Sequence, residues 1–222
     1  VYVLCAALML PLVLGAGRAR FATAAHATFA AALRGALAAI RRPEVVRWLL
    51  LVQATELVWN VLVGYLALYF VDVVGVPPVA AGAVVVAWTL SSLAGDGLLI
   101  VILTRVSGLT WLRVSALLAL LAYPALLLVP GAAAKVVLLG AVAILQAGWY
   151  AIPQGRLFTA LRGTGGTAIA LSSLASAVGA LVPLAVGALA ERAGLGVALW
   201  IPMLAPVALL ALAKSDGLGS AV

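Results

Sequence analysis

The sequence predicts an all-α fold, a polytopic bundle of membrane-spanning helices, because of its composition and the length of its apolar runs. Hydrophobic residues make up 67% of the 222 residues and charged residues 9%, against about 25% charged in an ordinary soluble domain. The apolar residues fall in runs of about 20, long enough to cross a hydrocarbon core of roughly 30 Å as helix. No segment alternates with the period of two that a membrane β-barrel needs.

Turn residues divide the apolar chain into one partial span and six complete spans. The partial span is residues 1–14. The complete spans are Trp48–Val71, Val79–Leu103, Leu109–Val129, Val136–Leu157, Ala168–Ala190 and Val197–Ala213. Short turns rich in Gly and Pro separate them, as at Pro77-Pro78 and Pro130-Gly131. Short loops imply antiparallel neighbours, so residues 48–213 are predicted to form one six-helix transmembrane domain.

The distribution of basic residues predicts the orientation of the bundle. Eleven of the 13 Lys and Arg residues fall on one side, and only Lys135 and Arg192 fall on the other. The eleven are Arg18, Arg20, Arg34, Arg41, Arg42, Arg47, Arg105, Arg113, Arg156, Arg162 and Lys214. Because cytoplasmic loops carry the excess of basic residues, residues 15–47 and the 214–222 tail are predicted to be cytoplasmic. The predicted location is the cell (inner) membrane, with several passes, and the positive charge indicates an anionic leaflet rather than nucleic acid.

The first 47 residues are predicted to be the end of a membrane helix followed by a linker. Residues 1–14 lack an initiating Met and a basic n-region, so they do not resemble a signal peptide, and they are too short to span comfortably. In the 15–47 linker, Phe29, Leu33, Leu37 and Ile40 recur at helical spacing. That spacing indicates an amphipathic helix along the cytoplasmic membrane surface; a solvated connector is the alternative.

This order of elements resembles the C-terminal half of a major facilitator superfamily (MFS) transporter. The resemblance covers essentially the whole chain: the end of a sixth helix, a central linker, and helices seven to twelve. Thr104-Arg105-Val106-Ser107-Gly108 is similar to the Asp-Arg-x-Gly loop motif of the family, with Thr104 in place of the acidic residue. The run from Gly165 through Gly179, Pro183 and Gly187 to Gly194 is similar to the eleventh helix and the loop after it. The resemblance implies an N-terminal half of the same transporter as a partner.

Two carboxylates in the middle of predicted spans, Glu56 and Asp96, are candidate proton-coupling residues. Such groups cost roughly 2.5 to 3.5 kcal/mol on insertion scales, so each is a functional hypothesis by default. Gln53, Glu56 and Asn60 share one helical face. Glu56 and Asp96 each lie about 12 to 13 Å along the helix from a cytoplasmic-end arginine, so they are predicted to share a layer. Structural roles are the alternative: Glu56 satisfied by neighbouring polar groups, and Asp96 paired with Arg105 or Arg113.

A third span adds Gln146, Trp149 and Tyr150 at a similar depth. Together with Gln53 and Asn60, these residues are the predicted substrate-binding set. Carboxylates, amides and aromatic faces suit a partly apolar, cationic organic solute, which aromatic rings hold by stacking or cation–π attraction. Ordinary packing is the alternative for Trp149 and Tyr150.

Enzymatic function is not predicted. One His and one Cys cannot assemble a His-based metal site or a disulfide framework. The sequence has no P-loop, dinucleotide fingerprint or Gly-x-Ser-x-Gly elbow. No cofactor, metal or catalytic residue is therefore predicted.

The predicted function is transmembrane transport of a small organic solute, as proton-coupled efflux by a secondary antiporter. Proton-coupled uptake of a sugar or other metabolite is the first alternative. The second is a membrane scaffold subunit that transports nothing, in which Glu56 and Asp96 face packed helices without a cavity.

Overall fold

The computed structural model describes residues 29–161 and 165–213, and these residues form an all-α, polytopic membrane helix bundle. Five helical segments are long and apolar enough to cross a membrane. They are Pro43–Val73, Pro78–Leu103, Gly108–Leu128, Ala170–Ala193 and Leu195–Leu212. The predicted partial span at residues 1–14, the first half of the linker and the 214–222 tail lie outside the described residues.

The helices are numbered here in chain order. They are α1 (Phe29–Ala39), α2 (Pro43–Leu68), α3 (Pro78–Leu103), α4 (Gly108–Leu128), α5 (Ala132–Leu145), α6 (Ala151–Ala160), α7 (Gly165–Gly179), α8 (Val182–Ala193), α9 (Leu195–Ala198) and α10 (Leu204–Leu212). A π-helical segment, Tyr69–Val73, continues α2, and a 3-10 turn, Ile201–Met203, precedes α10. Helix α2 is central, since it packs against α3, α6, α7, α8 and α10.

Three of the six spans predicted as continuous are interrupted. The predicted span Val136–Leu157 is divided into α5 and α6, and Ala168–Ala190 is divided into α7 and α8. Val197–Ala213 is divided between α9, the 3-10 turn and α10. Each interruption precedes a proline, Pro153, Pro183 or Pro202. Proline is tolerated in the first turn of a helix but removes a hydrogen bond from a helix interior, which explains why new helices begin there.

The first complete span begins earlier than predicted, at Pro43 rather than Trp48. Pro43 is the first helical residue, where its missing N–H costs nothing and its fixed φ favours the helix. The predicted linker helix is present as α1. The side chains of Leu37 in α1 and of Ile40 in the turn after it are exposed, whereas the side chains of Phe29 and Leu33 lie outside the described part of the chain.

Long polar side chains satisfy backbone carbonyls where helices end or break. Tyr123 Oη donates to Leu199 O at 2.8 Å, in the turn after α9. Arg113 Nε donates to Ala213 O at 2.8 Å, at the end of α10. An unpaired carbonyl costs several kcal/mol in a hydrocarbon environment, so these bonds stabilise the helix ends.

Lys135 donates to two backbone carbonyls at the end of α4. Its side chain is only 7% exposed, and Nζ donates to Leu126 O at 2.8 Å and Leu127 O at 2.9 Å. In a continuing helix Leu126 O would accept from the N–H of residue 130, but residue 130 is a proline and has no N–H. A third bond reaches Tyr69 Oη at 2.8 Å. Lys135 therefore joins the end of α4 to the π-helical end of α2, and its positive charge opposes the negative end of the α4 dipole.

Replacing Lys135 by Met is expected to destabilise the bundle, because three oxygens lose their charged donor. Hydrogen bonds to charged groups contribute about 1.5 to 3 kcal/mol. Part of this loss is offset because the variant no longer has to bury an ammonium group, which carries a desolvation penalty. We expect the thermal unfolding midpoint in detergent to fall by about 5 °C. The control is Arg192→Met, at an exposed basic residue in the last turn of α8. Equal midpoints for the two variants would contradict the role assigned to Lys135.

Candidate functional site

A cavity of about 850 Å³ lies between α2, α3, the α5–α6 junction and the α7–α8 junction. Its lining combines carboxylates, amides, hydroxyls and aromatic rings. The lining residues with polar or aromatic side chains are Thr55, Glu56, Trp59, Asn60, Ser92, Asp96, Gln146, Trp149, Tyr150 and Ser176. Six of the seven residues predicted to form the site line this cavity; the seventh, Gln53, does not.

Glu56 enters the cavity from α2, and neutral donors hold its carboxylate. Gln53 Nε2 donates to Glu56 Oε2 at 3.1 Å, from one turn earlier on the same helix. Ser176 Oγ of α7 lies 3.4 Å from Oε2 and 3.5 Å from Oε1. Within the described residues, no Lys or Arg nitrogen is at ion-pair distance from Glu56. Gln53 thus acts on the cavity through Glu56 rather than by lining it.

Small residues on α7 and α8 allow this close approach to α2. A Cβ added to Gly179 would lie 3.0 Å from Gln53 Oε1. Farther along, a Cβ on Gly187 would lie 2.9 Å from Tyr65 Oη, and Tyr65 Oη donates to Pro183 O at 2.7 Å. The glycines therefore permit α2 to approach its neighbours.

Asp96 enters the cavity from α3. The preceding residue, Gly95, packs against α5 so closely that an added Cβ would lie 2.9 Å from Ile144 Cα. This contact fixes the face of α3 that meets α5 and leaves Asp96 exposed at the cavity. In the described residues Asp96 has no ion pair with Arg105 or Arg113, and Arg113 donates instead to Ala213 O.

The third wall is the break between α5 and α6, residues 146–150. Gly148 adopts φ of +76°, a left-handed conformation that glycine adopts without strain. The break frees Ala147 O, which accepts from Trp111 Nε1 of α4 at 2.8 Å. Trp149 Nε1 donates to the buried Ser115 Oγ at 2.9 Å. Two indoles therefore fix the irregular backbone to α4.

This break gives Trp149 and Tyr150 different surroundings. Trp149 is buried, and its N–H is already bonded to Ser115. It also contributes to the lining of the cavity. Tyr150 is 48% exposed and presents its ring to the cavity. Of the two predicted aromatic contacts, Tyr150 is the more accessible to a solute.

Trp59 was not among the predicted site residues, although it lines the cavity. It is 54% exposed and packs on Trp88 of α3, with ring centroids 5.0 Å apart and planes inclined by 39°. Its position three residues after Glu56 was the available signal, because residues at that spacing share a helical face. The lining therefore offers two accessible aromatic rings together with two carboxylates.

A Cβ at Gly148 is incompatible with the observed break. It would lie 2.6 Å from Leu99 Cδ2, and the left-handed conformation is strained for alanine. We expect Gly148→Ala to lower the free energy of unfolding by about 1 to 3 kcal/mol, measured by thermal or denaturant unfolding in detergent. Gly155→Ala is the matched control: it lies in α6 with open space around it, so alanine should be neutral or slightly stabilising. The assigned conformation would be wrong if both variants behaved alike.

No protein-family model, curated protein or solved structure matches this chain. A functional assignment therefore depends on the chemistry of the cavity.

Proposed function

We propose that this chain forms one wall of the solute path in a secondary active transporter of the MFS type. In this proposal the transporter exports a small, partly apolar organic cation in exchange for protons across the cell membrane. The observation that carries the proposal is the cavity in which Glu56 and Asp96 lie with Trp59 and Tyr150.

The charge of the cavity favours a cationic solute. The two charged residues of the described lining, Glu56 and Asp96, are both acidic, and no described lining residue is Lys or Arg. Aromatic faces attract cations with about 0.5 to 2 kcal/mol each, more when water is excluded. Trp59 and Tyr150 supply such faces, while Asn60 and Gln146 supply amides that can orient polar groups of a solute. A volume of about 850 Å³ is within the range of small-molecule sites.

The surroundings of Glu56 support the proposed proton coupling. Its described partners, Gln53 and Ser176, are neutral donors, so its negative charge is not compensated within the described bundle. In a membrane-spanning segment that charge is costly. A proton can neutralise it, and so can a cationic solute, but not both together. Competition of this kind is the simplest chemical basis for exchange of a solute against protons.

The interrupted helix supports a transporter over a scaffold. Discontinuous membrane helices occur where irregular backbone is buried in protein or lines a cavity, and in secondary transporters they form the solute site near the midplane. Residues 146–150 line the cavity in this way. The scaffold alternative predicted packed helices around Glu56 and Asp96, and both residues line the cavity instead.

Proteoliposomes containing the intact transporter test the proposal, with ethidium as an aromatic cationic probe. A pH gradient should drive ethidium flux, and dissipating the gradient should reduce flux to the passive rate. Glu56→Gln should abolish the gradient-driven component, because the amide keeps the size of the side chain but carries no exchangeable charge. Asp96→Asn should reduce it in part.

The matched control is Glu191→Gln, at an exposed carboxylate in the last turn of α8. It should leave flux unchanged. Thermal unfolding of each variant separates a loss of coupling from a loss of fold. Ethidium flux that ignores both the pH gradient and Glu56→Gln would refute the proposal.

A further inference from the structure

The two carboxylates of the cavity lie at different depths. Helices α2 and α3 are consecutive and antiparallel, and the packed rings of Trp59 and Trp88, with centroids 5.0 Å apart, set their register. Toward the start of α2, Glu56 lies about 4.5 Å along the helix from Trp59, and Asp96 lies about 12 Å along α3 from Trp88. Asp96 is therefore offset from Glu56 by about 7 to 8 Å along the helix axes. This register replaces the shared layer predicted from their distances to arginines.

The end of the cavity that holds Asp96 is polar. The preceding residue, Gly95, packs so closely on α5 that an added Cβ would lie 2.9 Å from Ile144 Cα. Asp96 is therefore level with the start of the break between α5 and α6, where Gln146 lines the cavity. Ser92, one turn before Asp96 on the same helical face, also lines it. A hydroxyl and an amide thus accompany this carboxylate.

The end of the cavity that holds Glu56 is aromatic. Trp59, three residues later on the same helical face, lines the cavity and is 54% exposed. Its ring packs on Trp88, which is buried at 2% exposure. A flat aromatic cation at this end can therefore meet both the carboxylate and an indole ring, and cations are attracted to such rings.

One monovalent cation cannot compensate both carboxylates. The described partners of Glu56 are the neutral donors Gln53 and Ser176, and no described lining residue is Lys or Arg. When a singly charged solute binds beside Glu56, the negative charge of Asp96 keeps its cost in a membrane-spanning segment. A solute with two cationic centres removes that cost at both positions.

We propose that the preferred solute is a dication. Its aromatic cationic ring binds at Glu56 and Trp59, and a second, aliphatic ammonium group binds at Asp96. The offset between the two carboxylates keeps the two centres apart, as a short flexible chain between them allows. This inference rests on the proposed transport function, which requires only one cationic centre, and it narrows the class of solute.

Propidium and ethidium test the inference as a matched pair, because they share one aromatic cation and propidium adds an aliphatic quaternary ammonium group. Their binding to the intact transporter in a non-ionic detergent is measured by dye fluorescence. Propidium should bind about tenfold more tightly than ethidium. Asp96→Asn should remove most of this preference by weakening propidium binding, whereas Asp96→Glu, which keeps the charge, should retain it. The net charge of the chain, +7, opposes a non-specific preference for the dication.

The matched control is Glu191→Gln, at an exposed carboxylate outside the cavity. It should keep the ratio of the two affinities, and thermal unfolding midpoints check that each variant is folded. Equal affinities of the wild-type protein for the two dyes, or a preference that survives Asp96→Asn, would overturn the inference and leave ethidium exchange standing. Failure of both dyes to bind would overturn the proposed function along with it.

Discussion

The need to satisfy backbone carbonyls away from water shapes this protein more than any other constraint. A continuous helix pairs its own carbonyls, whereas an interrupted helix exposes them to a hydrocarbon environment where each costs several kcal/mol. Here the donors come from neighbouring helices. Trp111 donates to a carbonyl in the break before α6, and Tyr123 donates to a carbonyl in the turn after α9. Lys135 donates to a carbonyl at the end of α4. Each bond also ties two helices together, so backbone satisfaction and helix packing are achieved by the same side chains.

The cavity exists because one of these interruptions is stabilised. The left-handed Gly148 and the bonds from Trp111 and Trp149 hold residues 146–150 in the break between α5 and α6. The break turns Tyr150 toward the cavity while burying Trp149 against α4. On α7, Gly179 permits the close approach to α2 that places Ser176 beside the carboxylate of Glu56. The hydrogen bonds to α4 and α7 thus position the residues that line the cavity. The polar side chains of this lining have few partners within the described bundle.

Much of this architecture could be predicted from the sequence, because apolar run length and turn residues are strong signals for membrane helices. The face shared by Glu56 and Asn60 follows from helical periodicity, and both residues line the cavity with Asp96, Gln146, Trp149 and Tyr150. The broken spans were missed because hydropathy continues across a break: apolar residues flank Gly148 on both sides. Pro153 was a usable sign, since a proline there favours a new helix start. The division of roles between Trp149 and Tyr150 could not be predicted, because it depends on the φ of Gly148 and on Ser115 from another helix.

If the cavity is a hydrated site for a cationic solute, a cysteine at position 92 should be accessible to charged thiol reagents from water. Ser92 lines the cavity, whereas the next residue, Leu93, is exposed on α3 outside it. In a Cys5→Ser background, Ser92→Cys should react faster with a trimethylammonium-bearing methanethiosulfonate than with a sulfonate-bearing one, and ethidium should slow that reaction. Leu93→Cys, facing hydrocarbon, should react with neither. A Ser92→Cys thiol as inert as that of Leu93→Cys, or one that ethidium does not protect, would show that the cavity is not a hydrated site for a cationic solute.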